Sequence, residues 1–178
     1  MEYLNNLVAA DNPSSVLMEM MEAYGQDVWN YAYFLTRRRD AADDISQDVF
    51  LKALQHLRQF EGRSSVKTWL FAITRNLSMN YLKSSFIKKV TLVEWVTPKR
   101  NERSAEMEAI GNMEVSRIWQ HVLSLPVKFR EVLILEFHYQ LPRREIAALL
   151  DISEGTVKSR LHRARARMEA LLKGEEAE

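Results

Sequence analysis

Two short amphipathic stretches near the C-terminus, Pro142–Leu150 and Ser153–Met168, are separated only by Asp151 and Ile152, and this spacing constrains the chain more than any other feature. A two-residue break between helical patterns admits a tight turn and nothing longer, which makes the pair a helix-turn-helix. Pro142 suits a first helical position, where its missing N–H would have no partner anyway. Ser153 can cap the second helix through its hydroxyl. Ile152 before that cap and Val157 after it are placed as a hydrophobic staple.

The second helix sorts its side chains by face. Val157, Leu161, Ala164, Met168 and Leu171 recur at steps of four and three, one stripe directed inward. The opposite face centres on Gly155, Ser159 and Ala166, flanked by Lys158, His162 and Arg163, with Arg160, Arg165 and Arg167 on the shoulders. Small residues permit close approach to a groove, and long cations reach the phosphates of its walls. Lys158, Ser159, His162 and Arg163 are therefore the candidates for base edges, and Thr156, Arg160, Arg165 and Arg167 for phosphates. No Asp or Glu interrupts Gly155 to Arg167, whereas a helix that is merely solvated mixes both signs.

The formal net charge of the 178 residues is only +1, but its distribution is uneven. Residues 1–60 carry nine acids against five Lys or Arg, and residues 61–104 carry three against nine. Zones of opposite sign suggest one surface for a protein partner and another for nucleic acid. The absence of cysteine removes disulfide and thiolate chemistry and fits a reducing compartment. Neither a signal peptide nor a long apolar run is present, so a soluble, cytoplasmic chain without membrane insertion is expected. The histidines at 56, 121, 138 and 162 share no metal-ligand spacing. With no nucleophile–base pair and no phosphate loop either, an enzyme is not expected, nor any cofactor.

From the N-terminus, residues 1–13 read as a loose extension. A helix then carries Leu17, Met20, Met21, Tyr24, Val28, Tyr31, Ala32 and Leu35 inward, with a possible bend at Gly25, and Arg37, Arg38 and Arg39 close it. Asp40 caps a second helix whose Ile45, Val49, Ala53, Leu54 and Leu57 face the core, leaving Asp44, Gln47 and Asp48 on a polar flank. A third helix runs from Ser64 or Ser65 to about Lys83. Its buried stripe is Val66, Trp69, Leu70, Ile73, Leu77 and Tyr81, with Thr68, Phe71, Arg75, Met79 and Leu82 outward.

Three stretches carry a family resemblance. Ala42–Phe50 (ADDISQDVF) resembles a region-2 stretch of the extracytoplasmic-function sigma factors, in the sigma-70 family of bacterial RNA polymerase subunits. Phe60–Asn76 (FEGRSSVKTWLFAITRN) and Thr156–Ala164 (TVKSRLHRA) are similar to two further hallmarks of that family, in its order and spacing. The resemblance implies that Asp44, Gln47, Asp48 and Lys52 meet core RNA polymerase at the clamp helices of its β′ subunit. It implies that the loop at Gly62, Arg63, Ser64 and Ser65, with Arg75, Asn76 and Asn80, captures a base flipped out of the promoter −10 element. The last helix would read the −35 element. The β flap of polymerase, promoter DNA and an anti-sigma factor are the further partners implied. At one position the chain departs from the family pattern: Asn80 stands where the family often has Asp, and ideal helical angles place it near the buried stripe.

Residues 84–113 show no sustained period and contain Pro98 and a basic cluster, Lys99 to Arg103, which marks a linker. Val90, Leu92, Val93, Trp95 and Val96 are apolar enough to dock somewhere. Beyond it, Val115, Ile118, Trp119, Val122 and Leu123 form one stripe, and Pro126 opens a helix that turns Phe129, Val132, Leu133, Leu135 and Phe137 inward. The expected architecture is all-α, with two small helical domains at residues 14–84 and 114–173, a flexible linker at 85–113 and a tail at 174–178. The expected function is an alternative sigma factor; the alternative is a regulator that binds duplex operators through the same helix-turn-helix.

Overall fold

The computed structural model describes residues 13–62, 64–91 and 113–175. Among these residues there are seven α-helices and no strand. In chain order they are α1 (Pro13–Thr36), α2 (Arg39–His56), α3 (Val66–Thr91), α4 (Met113–Ser124), α5 (Val127–Leu133), α6 (Arg143–Leu150) and α7 (Glu154–Glu175). A 3₁₀ turn at Leu57–Gln59 follows α2, and a π-helical turn at Ile134–His138 continues α5. The chain divides into two compact units, Met1–Lys83 with Ala147–Ile152, and Ser84–Ile146 with Ser153–Glu178. The end of α6 thus groups with the first unit, a division the sequence pattern does not contain.

In the first unit α1 and α2 pack along their length. Val16, Met20, Val28 and Ala32 of α1 share a core with Ala41, Ala42, Ile45, Val49 and Ala53 of α2. Three alanines on α2 let the helices approach closely. Trp29 adds a polar tie, its Nε1 donating to Asp43 Oδ1 at 2.7 Å. Met21, placed in the α1 stripe by its spacing, is 47% exposed on the edge of that stripe. The helix runs unbroken through Gly25.

The joint between α1 and α2 differs from the sequence expectation. Helix α1 ends at Thr36, and Arg37 takes a left-handed conformation with φ 59° while its N–H bonds the Tyr33 carbonyl at 2.7 Å. Arg38 is the residue before α2, in extended conformation and without a side-chain cap, and Arg39 already belongs to α2. Asp40 therefore lies inside the first turn instead of capping it. Its carboxylate receives both Nε and Nη2 of Arg38, and this pairing holds the Asp40 carboxyl below its usual range and raises the Arg38 pKa.

Helix α3 is capped as expected. Ser65 Oγ accepts the Thr68 N–H at 3.1 Å, and the two hydroxyls meet at 2.9 Å. The helix is nevertheless turned about its axis by roughly a quarter turn from the expected setting. Thr68, Phe71, Thr74 and Ser78 are buried, Phe71 completely, while Trp69, Ile73, Leu77 and Tyr81 are half-buried at the edge of the core. Phe71 packs on Tyr31 with ring centroids 4.8 Å apart. Thr74 donates its hydroxyl to the Leu70 carbonyl at 2.8 Å, so a polar side chain enters the interior satisfied. The same rotation carries Asn80 to the exposed side.

α3 also continues to Thr91, seven residues into the segment expected as linker. Residues 92–112 lie outside the described residues, as do residues 1–12, Arg63, residues 176–178 and the side chains of Val90 and Val115.

In the second unit Phe129, Val132, Leu133 and Leu135 are buried, as are Val157, Leu161 and Ala164 of α7. Buried Arg130 ties the end of α4, its Nη1 donating to the carbonyls of Leu123 at 2.6 Å and Leu125 at 3.1 Å. The π turn inserts extra winding, with the Tyr139 N–H reaching back five residues to the Ile134 carbonyl. That winding shifts the face presented after Ile134, and Phe137 is 56% exposed where a continuous α pattern turns it inward. Ile118 is likewise 47% exposed, and the α7 stripe fades past Met168, with Leu171 exposed.

Two substitutions test this account of the first unit by chemical denaturation. A Cβ at Gly25 meets nothing within 4 Å, so Gly25→Ala should raise the unfolding free energy by about 0.5–1 kcal/mol. Arg37→Gly should raise it by about 1 kcal/mol by relieving the left-handed conformation.

Candidate nucleic-acid and partner interfaces

Helix α7 begins with the cap expected for it. Ser153 Oγ accepts the Thr156 N–H at 3.1 Å, and the Ser153 carbonyl accepts the Val157 N–H at 3.0 Å. The turn before it places Asp151 in a left-handed conformation with φ 54°. Burial of Val157, Leu161 and Ala164 then sets which side faces outward. Gly155, Lys158, Ser159, His162, Arg163 and Ala166 are all exposed. An added Cβ at Gly155 would touch only Ser153 Oγ, at 3.8 Å, so the centre of this face is open to a close-fitting ligand. Ser159 donates its hydroxyl to the Thr156 carbonyl at 3.0 Å, which leaves its oxygen lone pairs outward.

The expected phosphate residues are less alike than their spacing suggests. Thr156 is half-buried, and its hydroxyl meets that of Ser153 at 2.9 Å. Arg160 is half-buried, whereas Arg165 and Arg167 are exposed. Arg167 stacks over Phe129 at 5.0 Å and Arg165 over Phe137 at 5.1 Å. Arg165 also donates to Glu136 Oε2 at 3.2 Å, and Arg143 donates to Oε1 of the same carboxylate at 2.7 Å. Glu136 and Arg143 are residues that sequence reasoning missed. Their link to α7 spans 29 positions from Glu136 to Arg165 and has no local signature.

The acidic flank of α2 is brought together as a continuous surface. Asp44, Gln47, Asp48 and Lys52 are all exposed, and their spacing places them on one side of the helix. Leu51 sits among them, 54% exposed. It was overlooked as a surface residue, although its position three after Asp48 and four after Gln47 marks it as their neighbour.

The loop after α2 is closed by an aromatic pair, Phe60 and Trp69, with ring centroids 4.9 Å apart. Gly62 adopts φ 67°, a conformation that explains the glycine. Ser64 is half-buried and donates to the Ser65 carbonyl at 3.2 Å, while the exposed Ser65 spends its hydroxyl on the α3 cap. Arg63 lies outside the described residues. Asn76 and Asn80 are exposed and lie one turn apart, in line with half-buried Trp69 and Ile73. Arg75 is half-buried and lies about 100° round the helix from Asn76, so it does not share their face.

An apolar groove of about 440 Å3 opens in the second unit between α4, the π turn and α7, lined by Ile118, Trp119, Val122, Phe137, Met168 and Leu172 among others. Among the described residues no His, Asp and Glu cluster could hold a metal ion, and no helix is long and apolar enough to cross a membrane.

Comparison with known proteins accounts for both units. The family model for sigma-70 region 2 matches residues 20–85, and that for sigma-70 region 4 matches residues 116–168. The ECF RNA polymerase sigma factor SigM of Bacillus subtilis is 30% identical over 154 residues, 86% of this chain and 93% of SigM. The RNA polymerase sigma factor YlaC of the same organism is 31% identical over 150 residues, 83% of this chain and 86% of YlaC. Among solved structures, the sigma factor RpoE of Bartonella quintana, bound there to the anti-sigma factor NepR, superposes with a TM-score of 0.75. It is 26% identical, over 88% of this chain and 96% of that one. CnrH, solved with the cytosolic domain of CnrY, shares the fold with a TM-score of 0.70 at 24% identity, over 97% of this chain and 96% of that one. Both hallmark regions, their order along the chain and the all-helical architecture thus agree, and the chain belongs to the ECF sigma factors of the sigma-70 family.

Proposed function

We propose that this chain binds core RNA polymerase in the cytoplasm and gives it promoter specificity, reading a −35 element with α7 and opening the −10 element with the loop before α3. The observation that carries the proposal is the exposed face of α7, a run of cations around small residues with no carboxylate among them. Lys158, Ser159, His162 and Arg163 meet base edges, and Thr156, Arg160, Arg165 and Arg167 lie toward phosphates. On α2, Asp44, Gln47, Asp48 and Lys52 meet the β′ clamp helices, with Leu51 as an apolar anchor inside a polar rim. The apolar groove suits the β flap, and an anti-sigma factor is a further partner, as one is for RpoE. The chain supplies recognition and leaves catalysis to polymerase.

At the −10 element, extruding a base costs a few kcal/mol of stacking and pairing that a pocket must offset. The loop at Gly62, Arg63, Ser64 and Ser65, next to the Phe60 and Trp69 rings, supplies such a pocket, and Asn76 and Asn80 extend it along α3. Arg75 serves the flanking backbone.

Three experiments test these assignments. Asp48→Arg should weaken capture of core polymerase while leaving the melting curve unchanged, because solvent-facing substitutions cost little stability; unchanged capture would remove α2 from the interface. On duplex DNA, Arg163→Ala should cost roughly 1–3 kcal/mol and relax preference at one base pair, whereas Arg167→Ala should weaken all sequences alike and flatten the salt slope by about one. The reverse pattern would refute the division between base and phosphate residues. The double substitution of Gly62 and Ser64 by Ala should leave polymerase binding intact and abolish permanganate reactivity of −10 thymines on a cognate promoter. Normal reactivity would reduce the loop to a helix entry.

A further inference from the structure

The carboxylate of Glu136 stands in the middle of the π turn with only 15% of its side chain exposed, and it receives two arginines from separate helices. Arg143 comes from the first turn of α6 and Arg165 from the middle of α7. Both keep about half of their side-chain surface open, 47% and 50%. Among the described residues, Glu136 is the one carboxylate hydrogen-bonded to a cation of α7. The basic run of that helix, uniform in sequence, is therefore partly neutralised from outside by a residue lying in a different element.

Each arginine gives the carboxylate one N–H, Arg143 its Nε and Arg165 an Nη2, and the pairing both occupies that donor and offsets the charge that a phosphate would meet. Arg143 sits at the start of the first helix of a helix-turn-helix, the part that crosses the DNA backbone. Arg165 is on the shoulder of the second. We propose that Glu136 competes with the DNA backbone for Arg143 and Arg165, so that the N–H groups paired with it reach a phosphate only by leaving the carboxylate and the charge of both cations is partly withheld until then. This rests on α7 lying against duplex DNA. The consequence is an affinity held down where contacts are sequence-independent. Base contacts from Lys158, Ser159, His162 and Arg163 are untouched, so the carboxylate lowers affinity for all sequences alike and leaves base preference unchanged.

The Phe137 ring beneath Arg165 makes the arrangement specific to this carboxylate position. Stacking at 5.1 Å holds the guanidinium on the Glu136 side of the helix. The π turn brings both partners, Glu136 and Phe137, to the same arginine from consecutive positions.

The test uses the full chain and a random-sequence duplex, followed by fluorescence anisotropy across a salt series. Glu136→Gln keeps the volume of the side chain and removes its charge. It should bind more tightly than the wild type, with a salt slope steeper by roughly one to two as released arginines displace counterions. Combining it with Arg165→Ala should remove about half of that gain. An unchanged slope in Glu136→Gln, or a weaker and flatter one, overturns the proposal; the second result would mean that the carboxylate positions the arginines for DNA instead of withholding them. Arg163→Ala in the same assay separates the two levels of argument. If it leaves binding to the −35 element of a cognate promoter unchanged, the placement of α7 on DNA itself fails. If it weakens that binding while Glu136→Gln changes nothing, only the competition fails. Thermal melting of each variant verifies that the fold is retained.

Discussion

Burial of Val157, Leu161 and Ala164 is the constraint on which the rest of the second unit depends. A helix otherwise free to turn about its axis is held to one setting by three apolar side chains, each separated from the next by about one turn. Every outward position follows from that single rotational setting. Ser159 and Arg163 face solvent because they are far round from Val157, and Arg165 reaches Glu136 because it lies nearer the boundary of the buried strip. The hydrogen bonds at Ser153 fix where the helix starts, but apolar packing decides what the helix shows.

The same reasoning explains what could be read in advance. Helix α7 was legible because its buried positions are apolar and its exposed ones are charged or small, so pattern and burial coincide. Helix α3 was legible in existence and in its serine cap, yet its rotation was not. Thr68, Thr74 and Ser78 count as polar in any hydrophobic pattern, but a hydroxyl that bonds within its own helix enters the interior at little cost, as Thr74 does with Leu70, whereas Ser78 Oγ is buried without a hydrogen bond. Misreading three hydroxyl side chains displaced Phe71 and Asn80 together. The π turn defeated the reading at Phe137 for a different reason: the angle per residue itself changes there, and no residue type in ILEFH announces it. The acidic face of α2 was visible from spacing, apart from Leu51, whose apolar character drew attention away from its exposed position.

Two serine caps, 88 positions apart in sequence, share one local design. Ser65 and Ser153 each accept the N–H of a threonine three residues on, and in both pairs the hydroxyls meet at 2.9 Å. At the other ends of helices the chain uses Arg37, Gln140 and Asp151 in left-handed conformations, all with φ between 54° and 59°. At Ser65 and Ser153 the start is specified by side-chain chemistry, whereas at Arg37, Gln140 and Asp151 the backbone takes the left-handed conformation that closes a helix. The beginnings of α3 and α7 were accordingly well defined in the sequence, whereas that of α2, where Arg38 makes no side-chain cap, was not.

The π turn has a bearing on how this protein tolerates change in length. A π-helical turn is an α-helix holding one residue more than it needs, so a single deletion between Ile134 and His138 could restore regular winding without breaking the helix. Such a deletion would swing the following side chains round by about 100° and part Glu136 from one or both arginines. Loss of one codon here would thus act less like damage to the fold than like the resetting of a dial, changing the charge offered by the helix surface while leaving its core in register.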